Sequence, residues 1–419
     1  MTASPLEVAH RDGDRARAGR LRLAHGEVRT PAFVPLATKG TVRGLEPRDL
    51  HALGYEMVLG NAFHLHLQPG EDLVAEMGGL HRFMRWDRPI ITDSGGFQVF
   101  SMGHGTVADE VKGRAGGSPT RPRERAGRIL DIGEQGVRFR SYVDGGERFL
   151  GPETSMSIQA ALGSDIALVF DECTPFHVSR DYTARSTERT HRWLERCLAW
   201  HMEHGPAGQV VYGIVQGGVW EDLRRESTLT VAASGCPGVA IGGSLGADKP
   251  QMYEVVGWST EELERGGGRL SSLPRHLLGV GDVDDLIRGV ELGIDTFDCA
   301  MPTRLGRHGM AVVPDPSSRY RMDLAKSRFR HDSAPVLAGC ACPACAPGYP
   351  RAYLAHLLHL REQTALRLLT LHNLFFLARL MDDLREAIAE GRLAERAAAL
   401  RAGDRPRGLS DPPAAAAAL

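Results

Sequence analysis

Short runs of apolar, often β-branched residues recur along the chain, each ending on a glycine or a polar side chain: FVPLAT, EMVLGN, PIITDS, IALVFDE, VVYGIVQ, GVAIGG, HLLGVG and IDTFDC. Several lack polar alternation, which marks strands covered on both faces, as in a parallel sheet. Between several of them lie amphipathic stretches of helical length, such as 180–204 and 283–292. Eight strand-helix alternations predict an α/β fold of the (β/α)8 barrel type; an open, doubly wound sheet also alternates and is the competing architecture.

Several runs close on a polar residue or a glycine pair: Asp93, Asp171, Gln216, Gly242 with Gly243, and Asp298. In a barrel the C-terminal ends of the strands meet at one mouth, where catalytic groups gather, so these positions mark a candidate active site. Two regions break the alternation. Residues 103–128, rich in Gly, Pro and charge, read as an exposed loop inserted before a hairpin, VRFRSYVDGGERFL. Beyond Asp298 come PTRLGRHG, a polar stretch, a crowd of cysteines and a helical region over 351–392; the remaining 393–419 read as a low-complexity, disordered tail. The expected organisation is an N-terminal segment (1–30), a barrel core (31–310) carrying the 103–128 insertion, a zinc-binding subdomain with C-terminal helices (311–392), and the tail.

Of 419 residues, 42% are apolar, enough for a large core, which excludes a disordered chain or a disulfide mini-fold. The 50 basic and 52 acidic side chains leave a net charge of −2. There is no global cationic field, so a polyanionic partner must be held by a local patch. No stretch approaches the ~18 uninterrupted apolar residues of a membrane span, and the N-terminus lacks a signal-peptide pattern; a cytoplasmic location is expected.

Seven cysteines fall singly at Cys173, Cys197, Cys236 and Cys299 and then crowd at Cys340, Cys342 and Cys345, a spacing unlike a disulfide framework. Three thiolates on one loop and one imidazole make a complete tetrahedral set. Such a closed sulfur-nitrogen shell favours structural zinc over a catalytic metal. His372 is the candidate fourth ligand, with His356 and His359 in the same helical region.

Asp93 stands in ITDSGGFQVFS and Asp298 in FDCAMPTRLGRHG. Carboxylates on two strand ends can divide covalent and proton-transfer work, although such residues also commonly cap the following helix. The wider motifs carry more. TDSGGFQVFS, DECTPF, GIVQGG, IGGS, GVG, FDCAMPTRLGRHG and CACPAC with LTLHN resemble, in order, those of the queuine tRNA-ribosyltransferases, or tRNA-guanine transglycosylases. NAFHLHLQPG, RFMRWDRPIITDSGGFQ and VRFRSYVDG extend the similarity over about 31–381.

The resemblance implies a (β/α)8 barrel with a zinc subdomain that exchanges guanine in the anticodon of certain tRNAs for a 7-deazaguanine base. It implies that Asp298 is the nucleophile attacking ribose C1′ and Asp93 the general acid/base. Asp171, Gln216 and Gly243, with Gly242 beside it, would bind the base edge; Phe97 and Leu278 would sandwich the base, with Ser94 and Cys173 alongside. Arg304 and Arg307 would contact the anticodon loop of tRNA, and Cys340, Cys342, Cys345 and His372 would hold one structural Zn2+ per chain. A homodimer is implied, as is a free 7-deazaguanine base as second substrate.

Departures from the bacterial pattern are Ser244-Leu245-Gly246-Ala247-Asp248 for Leu-Ala-Val-Gly-Glu, Phe97 for Tyr, Leu278 for Met in some members, and His308 for Asn. The first borders the side of the pocket facing the 7-substituent, and leaves preQ1 and queuine as alternative incoming bases. Competing functions are a non-catalytic tRNA-binding subunit, against which the three aspartates argue, and an archaeosine-type enzyme, which would need a further RNA-binding domain.

Overall fold

The computed structural model describes residues 4–103, 129–176 and 178–411. The chain opens with an antiparallel sheet of three strands, β1 (Leu6–Asp12), β2 (Ala16–Leu23) and β3 (Gly26–Thr30). The barrel begins with β4 (Ala32–Ala37), β5 (Val58–Gly60) and β6 (Ile90–Thr92). A second antiparallel sheet follows, β7 (Ile129–Gly133), β8 (Gly136–Arg140) and β9 (Glu147–Leu150), of which β8 and β9 are the expected hairpin. The barrel resumes with β10 (Ile166–Leu168), β11 (Val210–Val215), β12 (Gly238–Ile241), β13 (Arg275–Leu277) and β14 (Thr296–Cys299). Its eight strands fall in the eight runs read from the sequence. All neighbouring pairs are parallel, and the ring closes where β14 meets β4 with Asp298 opposite Val34. That closure excludes the open sheet.

The barrel strands are buried almost throughout because packing covers them inside and helices cover them outside; Val58, Ile90, Ile91, Ala167 and Val239 have no exposed surface. Local signals set the helix boundaries. Ser179 accepts the Tyr182 amide at the start of helix Arg180–His204, and Asp248, one of the departures from the bacterial pattern, accepts the Gln251 amide at 2.9 Å to start helix Lys249–Arg265. The 103–128 insertion falls, after Gly103, outside the described residues.

After β14, helix Met301–Arg307 leads to the antiparallel pair β15 (Met310–Val312) and β16 (Arg321–Asp323), then to helices Arg351–His359 and Gln363–Ala389. The long helix packs on helix Met301–Arg307, and its Leu369, Leu374, Phe375 and Leu377 belong to the same apolar core as the barrel. The expectation of a disordered tail from 393 is corrected. Helix Leu393–Arg401 buries Leu393, Ala397 and Leu400 at helical spacing, and Leu409 is buried beyond it. Residues 412–419 lie outside the described range. Among the described residues no helix is long and apolar enough to cross a membrane.

Candidate active site and metal centre

A cleft of about 780 Å³ lies at the C-terminal ends of the barrel strands, lined by Asp93, Ser94, Phe97, Asp171, Cys173, Gly242, Gly243, Leu278, Asp298 and Arg304. Asp93 follows β6 directly. Its Oδ1 accepts the Ala62 amide at 2.9 Å, and its Oδ2 accepts the side-chain amides of Asn61 and of Gln98, the latter at 3.0 Å. Burial, reinforced by the charge of Asp298 and only partly offset by these donors, pushes its pKa up to about 8. At neutral pH Asp93 is therefore mainly an acid carrying a proton.

Asp298, on β14, is held differently. Its Oδ1 accepts the Gly279 amide at 3.0 Å, and Nε2 of the fully buried His276 lies 3.2 Å from the same oxygen. The two carboxyls that sequence placed on separate strands thus share one cleft, Asp93 protonated and Asp298 accepting the Gly279 amide.

Asp171 forms the floor beside them. Ser94 Oγ donates to its Oδ1 at 3.1 Å and Gln216 Nε2 to its Oδ2 at 2.6 Å. Burial raises its pKa to about 6, so the carboxylate form remains available at neutral pH. Glycine is required on two sides of this group. A Cβ at Gly96 would meet Asp171 Oδ1 at 2.7 Å, and one at Gly243, whose φ is +75°, would meet Gln216 Oε1 at 2.2 Å. Burial raises the Cys173 thiol, so it sits in the cleft wall as a neutral group. Glu172 turns away from the cleft into an ion pair with Arg189 at 2.5 Å and a bond from Tyr182 at 2.7 Å.

Arg224, which the sequence reading passed over, lies fully buried behind this wall. Its guanidinium donates to the carbonyls of Gly218 (2.7 Å), Val215 (3.1 Å), Gly242 (2.8 Å) and Ser244 (2.8 Å), knitting the ends of β11 and β12 together. Asn61, Gln98 and His276 were missed as well, although each is a polar residue inside or closing an apolar segment. On helix Met301–Arg307, Arg304 lines the cleft, while Arg307 donates to Thr303 Oγ1 at 3.2 Å. Burial and the like charges of Arg43 and Arg304 hold the Arg307 pKa below its ordinary value, which marks a local basic cluster on a chain of near-zero net charge.

Cys340, Cys342, Cys345 and His372 converge with all ligand atoms within 4.8 Å of one another, all four residues buried. His372 Nδ1 lies 3.3 Å from Cys342 Sγ and 3.5 Å from Cys345 Sγ, while Nε2 is 2.8 Å from the Val312 carbonyl. A backbone acceptor on the far nitrogen, a common partner of metal-binding histidines, leaves Nδ1 as the atom that could ligate a metal ion. His356 and His359 are exposed and stand outside the cluster.

A family profile described as "Queuine tRNA-ribosyltransferase" matches residues 12–404. The chain belongs to the queuine tRNA-ribosyltransferase family. Proteins called queuine tRNA-ribosyltransferase from Roseiflexus sp. (strain RS-1) and Herpetosiphon aurantiacus are 47% identical over 389 residues and 45% identical over 386 residues. These alignments cover 91% and 92% of this chain and 94% and 88% of the relatives. A further relative of that description, from Moorella thermoacetica, is 44% identical over 400 residues, covering 95% of this chain and 97% of its own length. Membership in the queuine tRNA-ribosyltransferase family makes the chain a glycosyltransferase-type enzyme.

Proposed function

We propose that the chain is a tRNA-guanine transglycosylase that replaces the wobble guanine of G-U-N anticodons with a 7-deazaguanine base, preQ1 or queuine. The observation that carries the mechanism is the pairing of a protonated Asp93 with an Asp298 held in the same cleft. Asp298 attacks ribose C1′ and the C1′–N9 bond breaks; the electron pair leaves with guanine, which takes the Asp93 proton. The product is a covalent tRNA ester. The incoming base then attacks C1′ through N9, returns its N9 proton to Asp93, and expels the Asp298 carboxylate. The logic is that of a retaining glycosidase with a base in place of water, and it requires ping-pong kinetics.

Asp171 accepts from the amidine-like edge of the base, supported by Ser94 and Gln216, with Gly242 and Gly243 giving backbone close approach. A base lacking those donors would leave a buried carboxylate unpaired, which is a strong ground for rejection. Phe97 and Leu278 flank the base, and Cys173 packs beside it. Arg304 and Arg307, with Arg43, meet the anticodon loop after the target base leaves its stack.

The Cys3His set fits zinc in its donor softness and closed shell, and a zinc ion there would be structural, one per chain. The exposed, stacked Tyr349 and Tyr353, 5.6 Å between ring centroids, support a contact surface for a homodimer. We place the enzyme in the cytoplasm with its tRNA. A denaturing gel tests the reading: wild type gives a tRNA adduct that survives denaturant, and Asp298→Ala gives none. An adduct of wild-type yield in Asp298→Ala would remove Asp298 as nucleophile.

A further inference from the structure

His276 opens the run HLLGVG and is fully buried, a position where an imidazole needs polar company. Strand register supplies it. His276 pairs with Thr296 across β13 and β14, two residues before Asp298. Nδ1 lies 2.9 Å from Thr296 Oγ1. Nε2 has no hydrogen-bond partner of good geometry among the described residues, and faces Asp298 Oδ1 at 3.2 Å. That oxygen already accepts the Gly279 amide at 3.0 Å.

We propose that His276 is a positioning residue for the nucleophile. Thr296 O–H donates to Nδ1, and the N–H at Nε2, 3.2 Å from Asp298 Oδ1, turns onto that oxygen and joins the Gly279 amide in holding it, which makes Oδ2 the attacking oxygen. The inference rests on the reading of Asp298 as nucleophile. Among the described residues the Gly279 amide bonds Oδ1 and His276 Nε2 lies 3.2 Å from that same oxygen, so the lone pairs of Oδ2 are the ones left to bond C1′. When the ester forms, Oδ1 becomes its carbonyl oxygen. When the incoming base attacks, the electron pair of the C1′–Oδ2 bond returns to the carboxylate, and the donors on Oδ1 stabilise the charge that develops there. The imidazole surrenders no proton in either half-reaction. Its larger effect therefore falls on the second half, where carboxylate charge is regained.

The test preforms the adduct, adds excess guanine and follows adduct decay on a denaturing gel, with tRNA affinity measured alongside as the check on folding. Removing one preorganised donor costs about 10²–10³ in rate where the charge is fully developed. Since Gly279 remains, His276→Phe is expected to slow decay roughly 10- to 100-fold with tRNA affinity unchanged. His276→Gln, which returns an N–H near the ε position, is expected to recover most of that loss. Wild-type decay in His276→Phe overturns the proposal, as does equal slowing in both variants, which would mean ring packing alone. If His276→Phe loses tRNA binding, 15N-histidine NMR of the wild-type enzyme decides: a bare Nδ1 with a protonated Nε2 is expected, and the opposite tautomer overturns the proposal. Asp298→Ala separates the two levels. An adduct in that variant removes the nucleophile reading itself, whereas its absence together with wild-type decay in His276→Phe removes only the role of His276.

Discussion

Asn373 donates to the carbonyl of Pro302 at 2.9 Å, tying the helix that carries His372 of the Cys3His cluster to the helix that follows Asp298. Its other side-chain contacts run to the Met310 carbonyl at 3.0 Å and from the Val312 amide at 2.7 Å. The neighbouring His372 reaches the thiols on one side and the Val312 carbonyl on the other. The cysteine cluster and helix Met301–Arg307, with its arginines, are therefore parts of one packed unit.

Cutting that tie has a calculable cost. Asn373→Ala strands the Met310 carbonyl and the Val312 amide in the interior, and each unsatisfied group costs ~1–3 kcal/mol. Urea denaturation is expected to register a loss of about 2–4 kcal/mol, allowing for partial relaxation. A loss below about 1 kcal/mol would mean that the two helices hold together without it.

Metal removal should act through the same unit. A structural Cys3His ion contributes folding energy directly. Chelation is expected to loosen 311–392, seen as increased hydrogen exchange there, and to weaken tRNA binding through the displaced Arg304 and Arg307. Metal-free protein that binds tRNA at full affinity would contradict the connection.

The raised pKa of Asp93 gives a pH signature with a definite sign. The proton that guanine takes is present while Asp93 is protonated, so adduct formation is fastest below about pH 8 and falls as pH rises through that value. Single-turnover adduct formation is the measurement. Asp93→Asn should form adduct slowly and without this dependence; a wild-type profile in that variant would assign the proton to another group.

Asp171 and Arg224 should separate binding from architecture. Asp171→Ala removes the base acceptor while leaving the tRNA surface intact, and is expected to lower kcat/KM for guanine exchange by about 10²-fold or more with tRNA affinity unchanged. Arg224→Met takes a donor from the Gly218, Gly242 and Ser244 carbonyls, while Val215 keeps the Gly242 amide, and should destabilise the fold by about 2–4 kcal/mol, besides raising KM for the base. Unaltered stability in Arg224→Met would show that the β11 and β12 ends hold themselves.

The barrel was legible because its strands are buried on two faces and so appear as uninterrupted apolar runs. The N-terminal sheet was not, because β1–β3 read LEVAHRD, ARAGRLRL and GEVRT, half exposed and heavy in arginine, which masks the alternation. Helix Leu393–Arg401 was lost in an alanine-arginine composition although Leu393, Ala397 and Leu400 keep helical spacing. In the site, the aspartates, Gln216 and the glycine pair that close strand runs stood out, while Asn61, which closes EMVLGN, did not, nor did His276, Arg224 and Asn373. The Asp93 carboxyl beside Asn61, the Thr296 hydroxyl and Asp298 carboxyl beside His276, the Gly242 and Ser244 carbonyls bound by Arg224 and the groups bound by Asn373 lie 18 or more residues away, brought together only by strand register and helix packing.

Base exchange through Asp298 is measured by incorporation of labelled guanine into a tRNA with a G-U-N anticodon. The wild-type enzyme is expected to incorporate guanine, with competition by preQ1 or queuine and the stronger competitor naming the incoming base, and Asp298→Ala is expected to incorporate none. Binding of that tRNA without any incorporation by the wild-type enzyme would contradict base exchange and point to a non-catalytic tRNA-binding subunit.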